Sequence, residues 1–481
     1  MASTIDSYQE ALKTGATTCT QTVQHYLQQI NTLQRLNAFT AVFADEALQK
    51  AAALDASRAA GKKMGKLHGV VIAIKDVICY KEHPVTASSA ILKGFQSIYN
   101  ATAVQRLLDE EAIIIGACNC DEFAMGSTNE NSVYGKVLNA LDETRVPGGS
   151  SGGSAVAVQA GLCMISLGSD TGGSVRQPAD FCGVIGLKPS YGRISRYGLI
   201  AYASSFDQIG IFANTVQDAA LALEVMAGAD EFDSTAIQQP ADNYSQLIKH
   251  SDSKKFKIAY FKEAIDHPSL DPEIASALKT FLLSLQQNGH TVEAVPFNLL
   301  EYIVPAYYVL TTAEASSNLS RFDGIRFGHA TKETIADLND FYKKSRSEGF
   351  GKEVQRRIML GTFVLSAGYY DAYFSKAQQV RRLLVNKTNE IFASYDAIVL
   401  PTSPSTAFKI GEKSADPIAM YLADIYTVFA NLTGVPGISL PLFTHSNGLP
   451  FGVQVLTNKL AETTLLQISA LLMDKHATVM A

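Results

Sequence analysis

Residues 146–179 read VPGGSSGGSAVAVQAGLCMISLGSDTGGSVRQPA and contain two serine-in-glycine clusters, at 148–154 and 168–174. Glycine has no Cβ, so such clusters let the backbone turn sharply and present N–H groups or a serine hydroxyl. The first cluster opens a predicted helix at 154–160, and the second follows a predicted strand at 163–167. Both loops are therefore expected to face the same rim of the fold.

Two other interpretations of these clusters compete with catalysis. Glycine-rich turns ahead of helices also bind phosphate groups. Neither cluster ends in the Gly-Lys-Ser/Thr of a P-loop, and neither reads Gly-x-Gly-x-x-Gly between a strand and a helix, so phosphate binding is disfavoured. A purely structural pair of turns is the stronger alternative, because Gly/Ser loops are common in large α/β proteins.

An upstream lysine favours catalysis. Residues 69–76 read GVVIAIKD, an apolar strand that ends at Lys75, so this lysine is expected to be at least partly buried. Burial without a carboxylate partner disfavours the ammonium form, which makes Lys75 a candidate neutral base. Asp76 is adjacent, but neighbours on a strand point to opposite faces. The alternative is a lysine that extends from the strand end to water.

A neutral lysine, a relay serine and a nucleophilic serine form an acyl-transfer set that needs no histidine. Lys75 in AIKD, Ser150 in PGGSSGGSA and Ser174 in GSDTGGSVRQPA resemble, in residue type, order and spacing, the amidase signature family. The resemblance implies a Ser-cisSer-Lys triad. In it Ser174 is the nucleophile, Ser150 follows a cis peptide bond and passes the proton on, and Lys75 is the terminal base.

The resemblance also assigns roles around the nucleophile. It implies an oxyanion hole built from the backbone N–H groups of four consecutive residues, Thr171, Gly172, Gly173 and Ser174. Asp170 and Arg176 flank this stretch with opposite charges. We interpret them as a pair that fixes the loop, and the alternative is two solvated charges.

Residues 121–126, DEFAMG, resemble the glutamine-dependent branch of the same family. Composition alone favours ordinary core packing for this apolar segment. The resemblance instead makes Met125 and Gly126 candidates for the substrate pocket.

Three later residues are candidates for binding a free amino acid. Such a substrate carries a carboxylate and an ammonium, which require one fixed cation and one fixed anion. The resemblance assigns Arg357 to the carboxylate, Asp424 to the ammonium, and Tyr308 to a hydrogen-bonding wall. Taken alone, the arginine and the aspartate are typical of solvated helix faces. The choice of Tyr308 over Tyr307, and of Arg357 over Arg356, stays open.

The chain has 481 residues, 47% of them hydrophobic, and can bury a large core. Alternating helices and short apolar strands, among them a helix at 17–35 with Thr18 and Gln21 as a capping box, predict an α/β fold. We expect a mixed central β-sheet with helices on both faces. The resemblance implies a single amidase signature domain over 1–481, with a core at about 60–220 and 390–460 and a more variable section at about 230–385.

Composition also limits the partners and the compartment. A net charge of −6 gives no electrostatic footprint for nucleic acid. Cys118 and Cys120 have no second pair or histidine nearby, so no metal is expected, and the six cysteines are predicted to be reduced. Without a signal peptide or an apolar run of about 18 residues, a cytoplasmic protein with no membrane contact is expected.

The glutamine-dependent branch implies a function in protein biosynthesis. The chain would hydrolyse glutamine and pass ammonia to a partner subunit that transamidates Glu-tRNA(Gln) or Asp-tRNA(Asn). The resemblance implies two further subunits, of B and C type, in a heterotrimer. The partner would hold the mischarged tRNA and use ATP and Mg, and this chain would need no cofactor. The alternatives are a stand-alone amidase for small, peptide or lipid amides, a non-catalytic assembly subunit, and a nucleotide-binding module.

Overall fold

The computed structural model describes residues 4–250, 254–412 and 423–480. In these ranges the strands are β1 Phe39–Val42, β2 Val71–Lys75, β3 Ile113–Cys118, β4 Ile165–Asp170, β5 Ile185–Lys188, β6 Gln208–Ala213, β7 Lys257–Phe261, β8 Thr291–Val295, β9 Ala397–Pro401, β10 Gly437–Thr444 and β11 Pro450–Thr457. They form one sheet in the order β1-β3-β2-β4-β6-β5-β10-β11-β9-β7-β8.

The sheet is mixed, as predicted. Strand β2 runs parallel to both β3 and β4, and β9, β7 and β8 are parallel at the other end. Antiparallel pairs from β4 through β6, β5, β10 and β11 to β9 connect these two parts. Most strands are buried along their whole length, because helices flank the sheet.

The helices are α1 Ile5–Lys13, α2 Cys19–Thr32, α3 Ala44–Ala59, α4 Thr102–Asp109, α5 Gly152–Gln159, α6 Arg176–Cys182, α7 Val216–Met226, α8 Tyr244–Leu247, α9 Lys262–Ile265, α10 Pro272–Gln287, α11 Leu300–Asn318, α12 Leu338–Gly349, α13 Lys352–Val364, α14 Lys376–Phe392, α15 Val428–Thr433 and α16 Glu462–Met480. A π-helical turn, Tyr370–Ser375, precedes α14. The predicted capping box begins α2, because the Thr18 side chain accepts from the Gln21 N–H and the Gln21 side chain accepts in return.

The two glycine-rich clusters lie at one edge of the sheet. Strands β2 and β4 are neighbours in parallel register, so their carboxyl ends, at Lys75 and Asp170, meet at the same edge. Strand β4 extends through part of the second cluster, three residues beyond the predicted end. There Gly168–Asp170 pairs with β6, and this tertiary pairing overrides the low strand propensity of glycine and aspartate.

Among the described residues, no helix combines the length and hydrophobicity needed to cross a membrane. No group of three or more His, Cys, Asp or Glu side chains in the described ranges could hold a metal ion. The six cysteines all lie within these ranges and are buried free thiols.

Candidate active site

Lys75 is fully buried at the carboxyl end of β2 and contacts three serine hydroxyls. Its Nζ lies 2.7 Å from Ser150 Oγ, 2.9 Å from Ser151 Oγ and 2.9 Å from Ser169 Oγ. The strand end thus places the amine between the two glycine-rich clusters. Sequence reasoning missed Ser151 and Ser169, although both lie inside those clusters.

The hydrogen bonds among these hydroxyls limit which serine can give a proton to the amine. Ser151 Oγ donates its single hydrogen to the Ser169 carbonyl, 3.1 Å away, and therefore accepts a hydrogen from Lys75. A neutral amine has two N–H donors and one lone pair. After donating to Ser151, it can still accept a proton from Ser150, which makes the shortest of the three contacts.

The pKa of Lys75 supports a role as a base. Burial is the largest influence and lowers the pKa to about 8, although the nearby acidic groups Cys120, Asp121 and Asp170 act in the opposite direction. A substantial fraction of Lys75 is then neutral near pH 8. The expectation of a buried lysine is met, and the alternative of a side chain that extends to water does not fit the structure.

Hydrogen bonds join the two clusters. Gly149 N–H, in the first cluster, donates to Gln177 Oε1 on α6, which follows the second cluster. The Ser150 carbonyl accepts from the Asp121 N–H, so the DEFAMG segment also fixes this loop. The peptide bond between Gly149 and Ser150 is cis, which is the geometry that the resemblance implied. Ser174 follows β4 and is slightly more exposed than Ser150.

Asp170 and Arg176 form a completely buried ion pair, with Arg176 Nη2 3.0 Å from Asp170 Oδ1. Burial raises the pKa of the Asp170 carboxyl, but the charge and hydrogen bonds of Arg176 outweigh it and lower the pKa to about 2. The aspartate also accepts the N–H groups of Gly173 and Val175, on either side of Ser174. The pair therefore fixes the loop, and the alternative of two solvated charges is wrong.

For Gly173 the structure differs from the predicted oxyanion hole. Its N–H already has an acceptor, Asp170 Oδ1 at 2.8 Å, because the carboxylate folds back under the turn. Gly172 packs so closely on the Tyr307 ring that a Cβ there would collide with it. Oxyanion binding by the Thr171, Gly172 and Ser174 N–H groups stays a prediction.

The three residues proposed to hold an amino acid lie together. Tyr308 on α11 has its hydroxyl 3.3 Å from Asp424 Oδ2, and the Arg357 guanidinium on α13 lies over the Tyr308 ring, 5.5 Å from its centroid. All three are buried. Two residues that sequence reasoning missed complete the group: Ser127 donates to Asp424, and Tyr202 accepts from Arg357.

The structure distinguishes the neighbouring residues that the sequence left open. Arg356 is exposed, whereas Arg357 faces inward, because successive residues of α13 point about 100° apart. Tyr307 packs on Phe206 and Gly172, whereas Tyr308 contacts Asp424. These positions agree with the choice of Arg357 and Tyr308, whose binding roles stay predictions.

A family model for amidases matches residues 21–466. The chain belongs to the amidase family. The A subunit of the Chlorobium luteolum glutamyl-tRNA(Gln) amidotransferase is 50% identical over 467 residues, which cover 97% of this chain and 96% of that protein. The protein of the same name in Koribacter versatilis is 50% identical over 97% of both chains.

Solved structures of the amidase family share the fold. The A subunit of the Thermotoga maritima glutamyl-tRNA(Gln) amidotransferase is 41% identical, with a TM-score of 0.77 over 94% of this chain and 91% of that chain. Peptide amidase from Stenotrophomonas maltophilia is 26% identical, with a TM-score of 0.82 over 98% and 97%. Backbone similarity therefore does not distinguish the amidotransferase subunit from the peptide amidase, whereas sequence identity is higher to the amidotransferase subunit.

The last two pocket candidates, Met125 and Gly126, differ in their surroundings. Met125 is fully buried in the hydrophobic core, which agrees with the ordinary core packing that composition alone favoured. Gly126 lies against the Asp121 carboxylate so closely that a Cβ would collide with it. A substrate contact by either residue stays a prediction, and the close approach to Asp121 is what requires glycine at 126.

Proposed function

We propose that this amidase-family enzyme is the glutaminase subunit of a tRNA-dependent amidotransferase. The observation that carries the proposal is the buried cation and anion, Arg357 and Asp424, that meet at Tyr308 in the same chain as the Lys75–serine cluster. This pair is complementary to the α-carboxylate and α-ammonium of a free amino acid. The amidotransferase subunits that are 50% identical support the tRNA-dependent part.

The proposed reaction forms an acyl-enzyme. Ser174 Oγ attacks the side-chain carboxamide carbon of glutamine, while its proton passes to Ser150 and the Ser150 proton to Lys75. The resulting oxyanion accepts hydrogen bonds from the backbone N–H groups of Thr171, Gly172 and Ser174. When the C–N bond breaks, the proton returns through Ser150 to the leaving ammonia. Water then attacks the ester on Ser174 by the same route and releases glutamate.

The remaining components of the proposal concern the complex. We place the chain in the cytoplasm with two further subunits of B and C type in a heterotrimer. The ammonia would go to the subunit that holds the mischarged tRNA and uses ATP and Mg. Glutaminase chemistry by this chain would need no cofactor, since loop N–H groups stabilise the oxyanion. The buried free thiols are consistent with a reducing compartment.

The decisive experiment measures ammonia release from glutamine by the chain co-expressed with candidate partner subunits. Release should require Ser174, fall to background in Ser174→Ala, and rise when mischarged tRNA and ATP are added. If the chain alone hydrolyses simple amides and glutamine is untouched under every condition, the stand-alone amidase takes the place of this proposal.

Adjacent arginines on α13 give a matched test of the amino-acid pocket. Arg357→Ala should lower kcat/KM for glutamine by about 10- to 100-fold, because a hydrogen bond to a charged group contributes about 1.5–3 kcal/mol. Arg356→Ala removes the same charge from an exposed position and should leave kcat/KM close to wild type. Both arginines pair with Glu353, so the comparison also controls for that contact. Equal effects of the two substitutions on glutamine hydrolysis would contradict a pocket role for Arg357.

A further inference from the structure

Thr427 lies at the start of α15 and is completely buried. A threonine at this position usually accepts an N–H group from the first turn of its own helix. Within the described residues the Thr427 side chain makes no such cap. Its hydroxyl instead donates to the Gly172 carbonyl, 2.8 Å away in the loop that carries Ser174. The hydroxyl is therefore directed at the loop and not at the helix.

This contact fixes one end of a single peptide group. The Gly172–Gly173 peptide has its carbonyl on Thr427 Oγ1 and its N–H on Asp170 Oδ1. Because a peptide group is planar, holding both ends determines the orientation of the whole unit. Only the Gly173–Ser174 peptide separates that unit from Ser174, so its orientation affects the direction of the Ser174 N–H and hydroxyl.

The packing around this peptide leaves little room for another arrangement. Gly173 has φ +120°, and a Cβ there would collide with the Thr427 hydroxyl. A Cβ on Gly172 would collide with Tyr307. The loop therefore lies between the Tyr307 ring and the Thr427 side chain, and the Thr427 hydroxyl makes a polar contact with it.

The same threonine belongs to the turn that begins at Asp424. Its backbone N–H donates to the Asp424 carbonyl at 3.1 Å, and its Oγ lies 3.2 Å from that oxygen. A hydroxyl has one hydrogen, and the shorter contact is to Gly172. Thr427 thus joins the residue predicted to bind the α-ammonium to the loop predicted to bind the oxyanion.

We propose that Thr427 is a positioning residue that sets the orientation of the Gly172–Gly173 peptide and connects the Asp424 turn to the Ser174 loop. The proposal rests on the glutaminase function proposed above. It assigns Thr427 an effect on the chemical step, because a misplaced oxyanion loop weakens interactions made in the transition state and not those made by the bound amino acid.

Thr427→Val keeps the shape and removes the hydroxyl. We expect kcat for glutamine to fall by about 10- to 100-fold, since displacement of a catalytic group by about 1 Å can cost about 100-fold, while KM changes little. Thr427→Ser should restore kcat. Thr433→Val is the matched control, because Thr433 is on the same helix and its hydroxyl donates to the Phe429 carbonyl of that helix, with no other acceptor among the described residues. It should leave kcat unchanged.

A second measurement needs no glutamine. With an alkyl fluorophosphonate, the bond from Ser174 Oγ to phosphorus forms as the phosphorus–fluorine bond breaks. Fluoride leaves, and the Ser174 proton passes through Ser150 to Lys75. The phosphoryl oxygen takes the place of the carbonyl oxygen. Thr427→Val should slow this labelling by about 10-fold or more, and Thr427→Ser should not. If Thr427→Val is labelled at the wild-type rate, the inference is wrong, even if wild type hydrolyses glutamine in a Ser174-dependent reaction. If Thr427→Val is labelled slowly but wild type hydrolyses no glutamine, the role of Thr427 is supported and the proposed glutaminase function is refuted. If Thr427→Val and Thr433→Val lose kcat and thermal stability to the same extent, the loss of activity reflects general destabilisation, and the inference is wrong.

Discussion

Lys75→Met should lower glutamine turnover by about 10⁴-fold or more, the size of loss seen when one member of a catalytic group that acts as a unit is removed. The amine is the basic group in contact with Ser150, and its replacement leaves no acceptor for the Ser150 proton there. Methionine has a similar length and fits an apolar site. Steady-state ammonia release measures the effect, and Lys81→Met, at an exposed position after the same strand, should leave turnover unchanged.

The pH dependence of turnover tests the same lysine. Because the pKa of Lys75 is about 8, kcat/KM of the wild type should rise with pH through about 8 as the amine loses its proton. The residual rate of Lys75→Met should lack this limb. Turnover that is flat between pH 7 and pH 9 in the wild type, or a Lys75→Met variant with more than about a tenth of wild-type turnover, would contradict a neutral lysine base.

The second large effect concerns stability. Asp170→Asn keeps the shape of the side chain but leaves the Arg176 charge without its partner in a completely buried site. Removal of one partner of a buried ion pair costs about 3–5 kcal/mol. The free energy of unfolding in urea should fall by that amount, and Asp340→Asn in the exposed pair with Lys343 should change it little.

Two further measurements test the assignment of this loss to the pair. In Asp170→Asn with Arg176→Met, neither charge of the pair is left, so the double variant should lose less stability than the sum of the single losses. The pKa of Asp170 is lowered from 3.8 to about 2, so its contribution is present above pH 3.8 and is lost as the pH falls toward 2. Two results would contradict this assignment. One is that the losses of the two single variants add in the double variant. The other is that wild type and Asp170→Asn lose stability equally as the pH falls from 3.8 toward 2.

Local sequence determined the elements that local chemistry can specify. Five apolar residues ahead of Lys75 are enough to make a buried strand, and Thr18 with Gln21 is enough to begin a helix. The glycines at 148–153 and 172–173 permit backbone paths that a Cβ would block. The motifs around Lys75, Ser150 and Ser174 were sufficient to indicate the amidase family, because they are long and specific.

Only the tertiary structure decided how these elements meet. Ser151 and Ser169 contact Lys75, Asp170 takes the Gly173 N–H, and Thr427 reaches Gly172 across 255 residues of sequence. Arg357 and not Arg356 faces Tyr308, because the rotation of α13 about its axis is set by what it packs against. Dihedral preferences and periodicity depend on residues close in sequence, whereas hydrogen bonds between distant segments depend on how the whole sheet and its helices pack.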